Sequence, residues 1–537
     1  MDHKSRLSCL GVPALLILLL TQGPAPALVD DDRTTIPEPE ERRVAPAHDY
    51  VTSAVVRPAA KHLNIPRDVL QVFRSRKEAE NVNELDEIWD SSWFTNRNFW
   101  IPLSPDKFAQ GPVRSGHAPD AGPWKITKCK MDGVMPGFQI RDQKGDSYIL
   151  KFDPPGYLEL STAADVIASK FLYAAGYNVP ENFIVIFDEH ILVPEDNLVC
   201  TGAQREQLSS SSNGLATFLQ KLPHTEQGQL RAMASRFIEG RIKGPFSYLG
   251  IRKDDPNDRT SHEHRRELRG LRMIQAFLNN SDVKQLNTLD TYVEEDGRKF
   301  LKHYLIDFGD SLGSLSIRPK NARDGQHYLF DPLEIMKTTF TFGLNRRGSS
   351  SSEIQYPSIG YIEGATFEPM RWRPNLPNPA FDNMTKRDGY WAAKIVSSFT
   401  NDQIEAAVRA GQYSDPDAER MLVQILQQRR DRIADYWFRQ VAPLDRFRFT
   451  SDGLTFDDLA IENNLDTAAH VKYEVLVEGF NVTTVSQNAS QISMPIMATD
   501  SPLKVQIRRS SPNWHELQVT VIVRSVDGNP AVVGIQR

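Results

Sequence analysis

Ser281-Asp282-Val283-Lys284-Gln285-Leu286-Asn287, followed by Leu305-Ile306-Asp307-Phe308-Gly309, decides how this chain is read. Phosphoryl transfer needs a carboxylate beside the attacking hydroxyl, a cation beside the transferring phosphate and oxygen ligands for Mg2+. The first string holds all three: Asp282 as base, Lys284 as charge stabiliser and Asn287 as metal ligand. Asp307, closing an apolar run, adds a second and harder oxygen ligand. Gly309 is expected to let the chain turn sharply after it. Either string alone is short enough to arise by chance, so their order and surroundings carry the weight.

Upstream, Phe138-Gln139-Ile140 and Tyr148-Ile149-Leu150-Lys151-Phe152 flank the polar stretch Asp142-Gln143-Lys144-Gly145-Asp146, which predicts a β-hairpin. A glycine turn, Gly133-Val134-Met135-Pro136-Gly137, precedes it. A helix follows, capped by Ser161 or Thr162, striped by Val166, Ile167, Phe171 and Ala174, and ended by Gly176. Strands are expected at 183–187 and 233–238. Leu268, Leu271, Ile274, Phe277 and Leu278 recur at helical spacing over 265–279. Residues 318–390 read as irregular. Thr400 with Gln403 forms a capping box, and Pro416 opens a longer helix to Trp437. From about Pro443 the pattern alternates apolar and polar, with a turn at Asp527-Gly528-Asn529-Pro530, as in a small β-sandwich.

With a strand-borne lysine, a helix, an Asp-x-Lys-x-x-Asn loop and a literal Asp-Phe-Gly in this order, the sequence resembles the protein-kinase superfamily. The His-Arg pair that usually precedes the catalytic aspartate is replaced by Asn280-Ser281, and the two loops are joined by a short hairpin at 289–305. The chain therefore looks more like the atypical branches, among them HipA-like, phosphatidylinositol-kinase-like and CotH-type secreted kinases. The resemblance implies an α+β, bilobal protein-kinase-like fold with a C-terminal all-β module. It also implies ATP and Mg2+ as cofactors, with Lys151 holding the α/β-phosphates and Gly133 and Gly137 covering them. The acidic partner of Lys151 is Asp165 or Glu159, of which Asp165 is better placed relative to Gly176. Glu239 falls, within Arg236-Phe237-Ile238-Glu239-Gly240, where the family's hinge contacts adenine.

The chain's start differs from the rest. Lys4 and Arg6, an apolar run over 12–20 and Ala25-Pro26-Ala27 have the layout of a signal peptide spanning 1–27. No later segment reads as membrane-spanning, so the expected product is exported, periplasmic or extracellular. The expected divisions are a flexible leader at 28–48, an N-terminal extension at 49–123, a small lobe at 124–240, a large lobe at 241–442 and a β domain at 443–537. Cys129 and Cys200 either pair or stay as buried thiols. The chain is 40% hydrophobic and 25% charged, with a net charge of −6 and both signs mixed, which argues against nucleic acid as a partner. Asp254, Asp255, Asp258, His262, Glu263 and His264 are metal-ligand types, but the loop before a helix attracts such residues for capping, which is the favoured reading. Two functions stay open. One is a phosphotransferase moving the γ-phosphate of ATP to an unidentified hydroxyl acceptor. The other is a silent kinase-fold scaffold of the cell envelope.

Overall fold

The computed structural model describes residues 31–44, 76–114, 116–129, 137–195, 198, 214–322, 324–328, 354–450, 453–478, 480–487, 491–492, 501–512 and 514–537. The expected signal segment, Gly133 and Cys200 lie outside them. The chain has a mixed α/β fold, with an N-terminal helix-and-strand region and a C-terminal β-rich module.

One sheet contains β1 (Trp124–Cys129), β2 (Gly137–Arg141), β3 (Ser147–Phe152), β4 (Asn182–Phe187), β5 (Leu192–Pro194) and β6 (Leu230–Arg236), in the order β4-β6-β3-β2-β1-β5. β2 and β3 form the expected hairpin, with Gly137 opposite Lys151. On β3, Tyr148, Leu150 and Phe152 point into an apolar core while Ile149 and Lys151 take the other face. That alternation follows from the two-residue period of a strand. Lys151 thereby leaves the sheet toward the helix α1 (Leu160–Ala175).

Neither Ser161 nor Thr162 caps α1 with its own side chain. The helix follows Glu159, whose φ is +72°, and its N-terminal donors go to Asp153 at the end of β3. The Asp153 carboxylate accepts from the N–H groups of Glu159, Ser161 and Thr162 and from the Thr162 hydroxyl, at 2.8–2.9 Å. An anion at a helix N-terminus meets both the orphan donors and the dipole. Here it also ties the Lys151 strand to the helix.

In the larger part, β7 (Arg241–Gly244), β8 (Thr288–Glu295) and β9 (Arg298–Leu305) form a sheet. Its core helix α2 (Arg266–Leu278) is buried along its whole length. Helices α3 (Lys386–Ser397), α4 (Asn401–Arg409) and α5 (Pro416–Phe438) complete this layer, α3 and α5 packing on α2. The Thr400–Gln403 capping box is present at α4. Of the aromatic cluster after residue 88, Trp93, Phe94 and Phe99 join this core, whereas Trp89 and Trp100 are exposed. The arginine pairs 265–266 and 429–430, which read as solvated faces, differ from that expectation: Arg265, Arg266 and Arg429 are buried. Arg429 donates to the carbonyl oxygens of Phe277, Ala276 and Glu363 and lies 3.6 Å over the Phe367 ring. A guanidinium with five donors is a means of binding irregular backbone that periodicity cannot reveal.

Residues 31–44, expected as a flexible leader, run extended along this part. Ile36 N–H donates to Lys299 O at 2.8 Å and Arg42 N–H to Lys243 O at 2.9 Å, while Glu38 pairs with Arg241 and Lys243. The segment's charges complement a basic edge, which net composition alone does not show.

The terminal module has β10 (Leu444–Thr450), β11 (Gly453–Asp458) and β14 (Gln491–Ile492) in one sheet. The other holds β12 (Lys472–Val477), β13 (Phe480–Gln487), β15 (Leu503–Ser511), β16 (Trp514–Val526) and β17 (Asn529–Gln536). The two sheets share an apolar core. The β16–β17 turn is Asp527-Gly528, both at positive φ, as a two-residue type I′ hairpin requires. The module is bonded to the rest of the chain. Ile535 N–H donates to Glu84 O, and Arg537 reaches Asp86 and Asp445.

Candidate phosphotransfer site

Two short-range clusters contain most of the predicted site residues. In the first, Lys151 Nζ lies 3.1 Å from Asp165 Oδ2 and 2.6 Å from Asp307 Oδ1. Burial opposes the Lys151 cation, but Asp165 and Asp307 outweigh it and hold the proton more firmly than usual. Asp165, and not Glu159, is therefore the partner of Lys151; the Glu159 carboxylate accepts from Ser414 N–H. Asp165 lies beyond the first turn of α1, where the dipole does not account for it. Its short reach suffices because Asp153 draws the helix onto β3. Asn182 Nδ2 donates to Asp165 Oδ1 at 2.8 Å, fixing the carboxylate's orientation.

In the second cluster, Lys284 Nζ donates to Asp282 Oδ2 at 2.7 Å. Asn287 Nδ2 donates to Asp282 O at 2.7 Å and to Asp282 Oδ2 at 3.0 Å. That leaves the Asn287 amide oxygen as the acceptor end of the group. Burial works against the Lys284 cation, but Asp282, then Asp307 and Asp310, raise its proton affinity. The two residues before Asp282 hold the loop through local contacts. Asn280 Oδ1 accepts from Asp282 N–H at 3.2 Å, and the buried Ser281 offers its carbonyl to Asn375 N–H at 2.7 Å.

The β8–β9 hairpin joins the clusters. Thr288 pairs with Leu305, and Ile306 N–H donates to Asn287 O at 3.0 Å. The last residue of one loop is thus clipped to the residue before Asp307. Asp307 has φ +63°, a left-handed conformation that aspartate tolerates better than most residues. Gly309, expected to be the turning residue, has a different reason to be glycine. A Cβ there would stand 2.7 Å from Ser161 Oγ and 3.2 Å from Ser316 Oγ, so the position allows the close approach of this loop to α1.

Four residues that build this site went unread in the sequence. Asp310 is half-buried near Asp282 and Asp307, and desolvation pushes its carboxyl up. Lys320, fully buried, donates its Nζ to Asn279 O and, at 2.8 Å, to Asp310 O. One ammonium thus bridges the start of the catalytic loop and the segment after Asp307. Lys320 sits in a stretch without periodicity, so nothing in the sequence marked it. Asp153 and Asn182 were equally silent.

The remaining predicted residues are placed as follows. Gly137 opens β2 beside Lys151. Gly133 is outside the described residues. Glu239 is exposed on the β6–β7 connection and borders a separate cleft whose lining includes neither Lys151 nor Asp307. The acidic and histidine-rich loop at 254–264 is structural. Asp258 binds His262 Nε2 at 2.7 Å and Arg265, and Asp254 pairs with Arg252. Among the described residues no three His, Cys, Asp or Glu side chains are grouped as a metal cage. Magnesium at nucleotide sites takes one or two protein ligands with phosphate and water oxygens. Asp307 and the Asn287 amide oxygen fit that donor set, next to Asp310, whose carboxyl is pushed up by burial first and then by Asp282.

No protein-family model matches the chain, and no curated protein matches it. Among solved structures, the crystal structure of the Golgi casein kinase is similar at 9% identity and a TM-score of 0.27, over 75% of this chain and 94% of that chain. The crystal structure of the Golgi casein kinase with Mn/ADP bound is similar at 10% identity and a TM-score of 0.22, over 68% and 96%. The likeness to a protein-kinase-like fold is weak and partial, a loose resemblance to a bilobal architecture. Among the described residues no helix is long and apolar enough to cross a membrane.

Proposed function

We propose that the chain is a Mg2+-dependent phosphotransferase that moves the γ-phosphate of ATP to a hydroxyl acceptor. The observation that supports it is the Lys151 bridge between Asp165 and Asp307, on a loop clipped through Ile306 to Asn287. Cation, metal carboxylate and base are thereby gathered at one hairpin end. In this reading Lys151 steadies the α/β-phosphates, and Gly137, opposite Lys151 at the start of β2, lies beside them. Mg2+, held by Asp307 and Asn287, would neutralise phosphate charge. Asp282 accepts the proton of the acceptor hydroxyl as that oxygen bonds to the γ-phosphorus. The bond from phosphorus to the bridging oxygen breaks, and ADP leaves. Lys284 balances charge on the transferring group.

Asp282→Ala is expected to keep the Mg2+-dependent thermal shift with ATP while lowering ATP turnover by on the order of 10²-fold or more. Unchanged turnover would remove Asp282 from the base role. Absence of any nucleotide-dependent shift in the wild-type chain would favour the scaffold reading instead.

Lys320→Met is expected to lower kcat roughly a hundredfold while the nucleotide Kd changes little, because Lys320 bridges the loops without being placed to touch nucleotide. Equal loss in binding, rate and Tm would mean a merely structural role.

Export is part of the same proposal. Cys129 is disulfide-bonded, with its partner outside the described residues, and such bonds persist in oxidising compartments. Thiol titration of the denatured protein before and after reduction is expected to show two extra thiols after reduction. Equal counts would argue against the bond.

A further inference from the structure

A second cleft, of about 450 Å³, is lined by the 236–240 connection, the 178–181 turn before β4, and the outer ends of β8 and β9. None of Lys151, Asp165, Asp282 or Asp307 lines it. Four cations border it, and their pairing differs. Arg236 is matched by Asp146 at 2.8 Å and Glu181 at 3.8 Å, and Lys302 by Glu295 at 2.7 Å. Arg97 and Arg114 have no ion pair among the described residues.

Arg97 is held in place without being neutralised. Its Nη1 donates to Tyr173 O at 2.8 Å and Tyr177 O at 3.1 Å, and its guanidinium lies 4.1 Å over the Tyr173 ring. Arg114 is anchored through its backbone N–H on Glu181 at 2.8 Å, and its side chain is exposed at the mouth. Lys302, only 9% exposed, lines the same cleft. These cations sense one another. Burial first, then Arg114, weakens the hold of Arg97 on its proton, and Arg114 and Arg97 add to the burial that lowers Lys302. Of the remaining acids on the lining, Glu239 is exposed and Glu294 lies 3.4 Å from Lys299. The lining carries as many carboxylates as cations, but Arg97 and Arg114 have none paired to them, and an anion between the two would supply that partner.

We propose that this cleft is a binding site for a tetrahedral oxyanion, the phosphate or sulfate group of a small ligand. Arg97 and Arg114 form its two-sided clamp and Lys302 its base. Guanidinium forks match such oxygens with paired hydrogen bonds. Tyr173 and Tyr304 also line the cleft, where the ligand's body would lie. The site is separate from the phosphotransfer residues and does not depend on that reading.

The test uses the full chain carrying Lys151→Met, so that the phosphotransfer site contributes little to anion binding. Inorganic phosphate, sulfate and O-phosphoserine are titrated by calorimetry. Saturable binding of at least one, weakened tenfold or more by Arg114→Glu but not by Arg409→Glu on the surface of α4, is expected. Preference for O-phosphoserine over phosphate would identify an organic ester as the ligand, and equal affinity a free oxyanion. Arg114 is exposed, so its reversal is not expected to disturb folding, and an unchanged Tm without ligand verifies this. Binding equal in Arg114→Glu and its parent, or no binding of any probe at 50 mM (roughly the weakest affinity of interest), overturns the proposal.

Discussion

Asp307→Asn is expected to reduce ATP turnover by on the order of 10³-fold, about 4 kcal/mol of transition-state stabilisation, and to abolish the Mg2+-dependent part of the thermal shift with ATP. The substitution keeps the shape of the side chain and removes its charge. Asp307 meets the Lys151 ammonium at 2.6 Å, and its side chain is 41% exposed. The fold loses little, because Lys151 keeps Asp165 at 3.1 Å. On the proposed reading, what is lost is the anionic oxygen donor for Mg2+. The measurement is nucleotide-dependent melting with and without Mg2+, together with ATP consumption. A variant that retains both the Mg2+-dependent shift and turnover would remove Asp307 from the metal site.

The largest effect on stability is expected at the junction of the β module with the helices. Asp445 is 2% exposed and accepts from Tyr390 Oη at 2.9 Å and Arg446 N–H at 2.8 Å. It faces Lys394 at 3.3 Å and Arg537 at 2.9 Å. Asp445→Ala removes one of two anions from each of two buried cations, Lys394 keeping Glu87 and Arg537 keeping Asp86, and about 3 kcal/mol of stability should disappear. The wild-type pH profile follows from the same group. Burial opposes the Asp445 anion, but Lys394 and Arg537 hold its carboxyl down to about 2, below its unfolded value of about 3.9. Its contribution is therefore complete above roughly pH 4 and lost as the pH falls toward 2. Urea midpoints between pH 2 and 7 should show a shallower acid limb in Asp445→Asn than in the wild type. Identical limbs would show that this network does not set acid stability. Transitions of module and helices at different urea concentrations would show that the junction does not couple them.

Several elements were legible because their signals are local. The β2–β3 hairpin around 142–146, the capping box at Thr400 and Gln403, and the Asp527-Gly528 turn each follow from side chains that act within a few residues of their own backbone. The spacing within 281–287 is local too, so the Asp282, Lys284 and Asn287 contacts fell where one loop's reach puts them. Long-range partners left no such mark. Arg265 and Arg266 read as a solvated helix face, yet both are buried and Asp388 lies against Arg266 in the interior. Residues 31–44 looked like a flexible leader because their acidic character finds its match only across space, on Arg241, Lys243 and Arg298.

By itself the sequence determined which residue types are available to phosphoryl chemistry, their order along the chain and the local turns between them, since these depend on neighbouring side chains. Only the tertiary structure decided that Asp165 partners Lys151, because the choice rests on Asp153 drawing α1 onto β3. Only the fold joined the two loops, through the Asn287–Ile306 hydrogen bond and the Lys320 bridge. It also placed Glu239 on the lining of a cleft that Lys151 and Asp307 do not line. Hydrogen bonds and ion pairs between distant segments form wherever packing brings the groups within about 3 Å, and packing is a property of the whole chain.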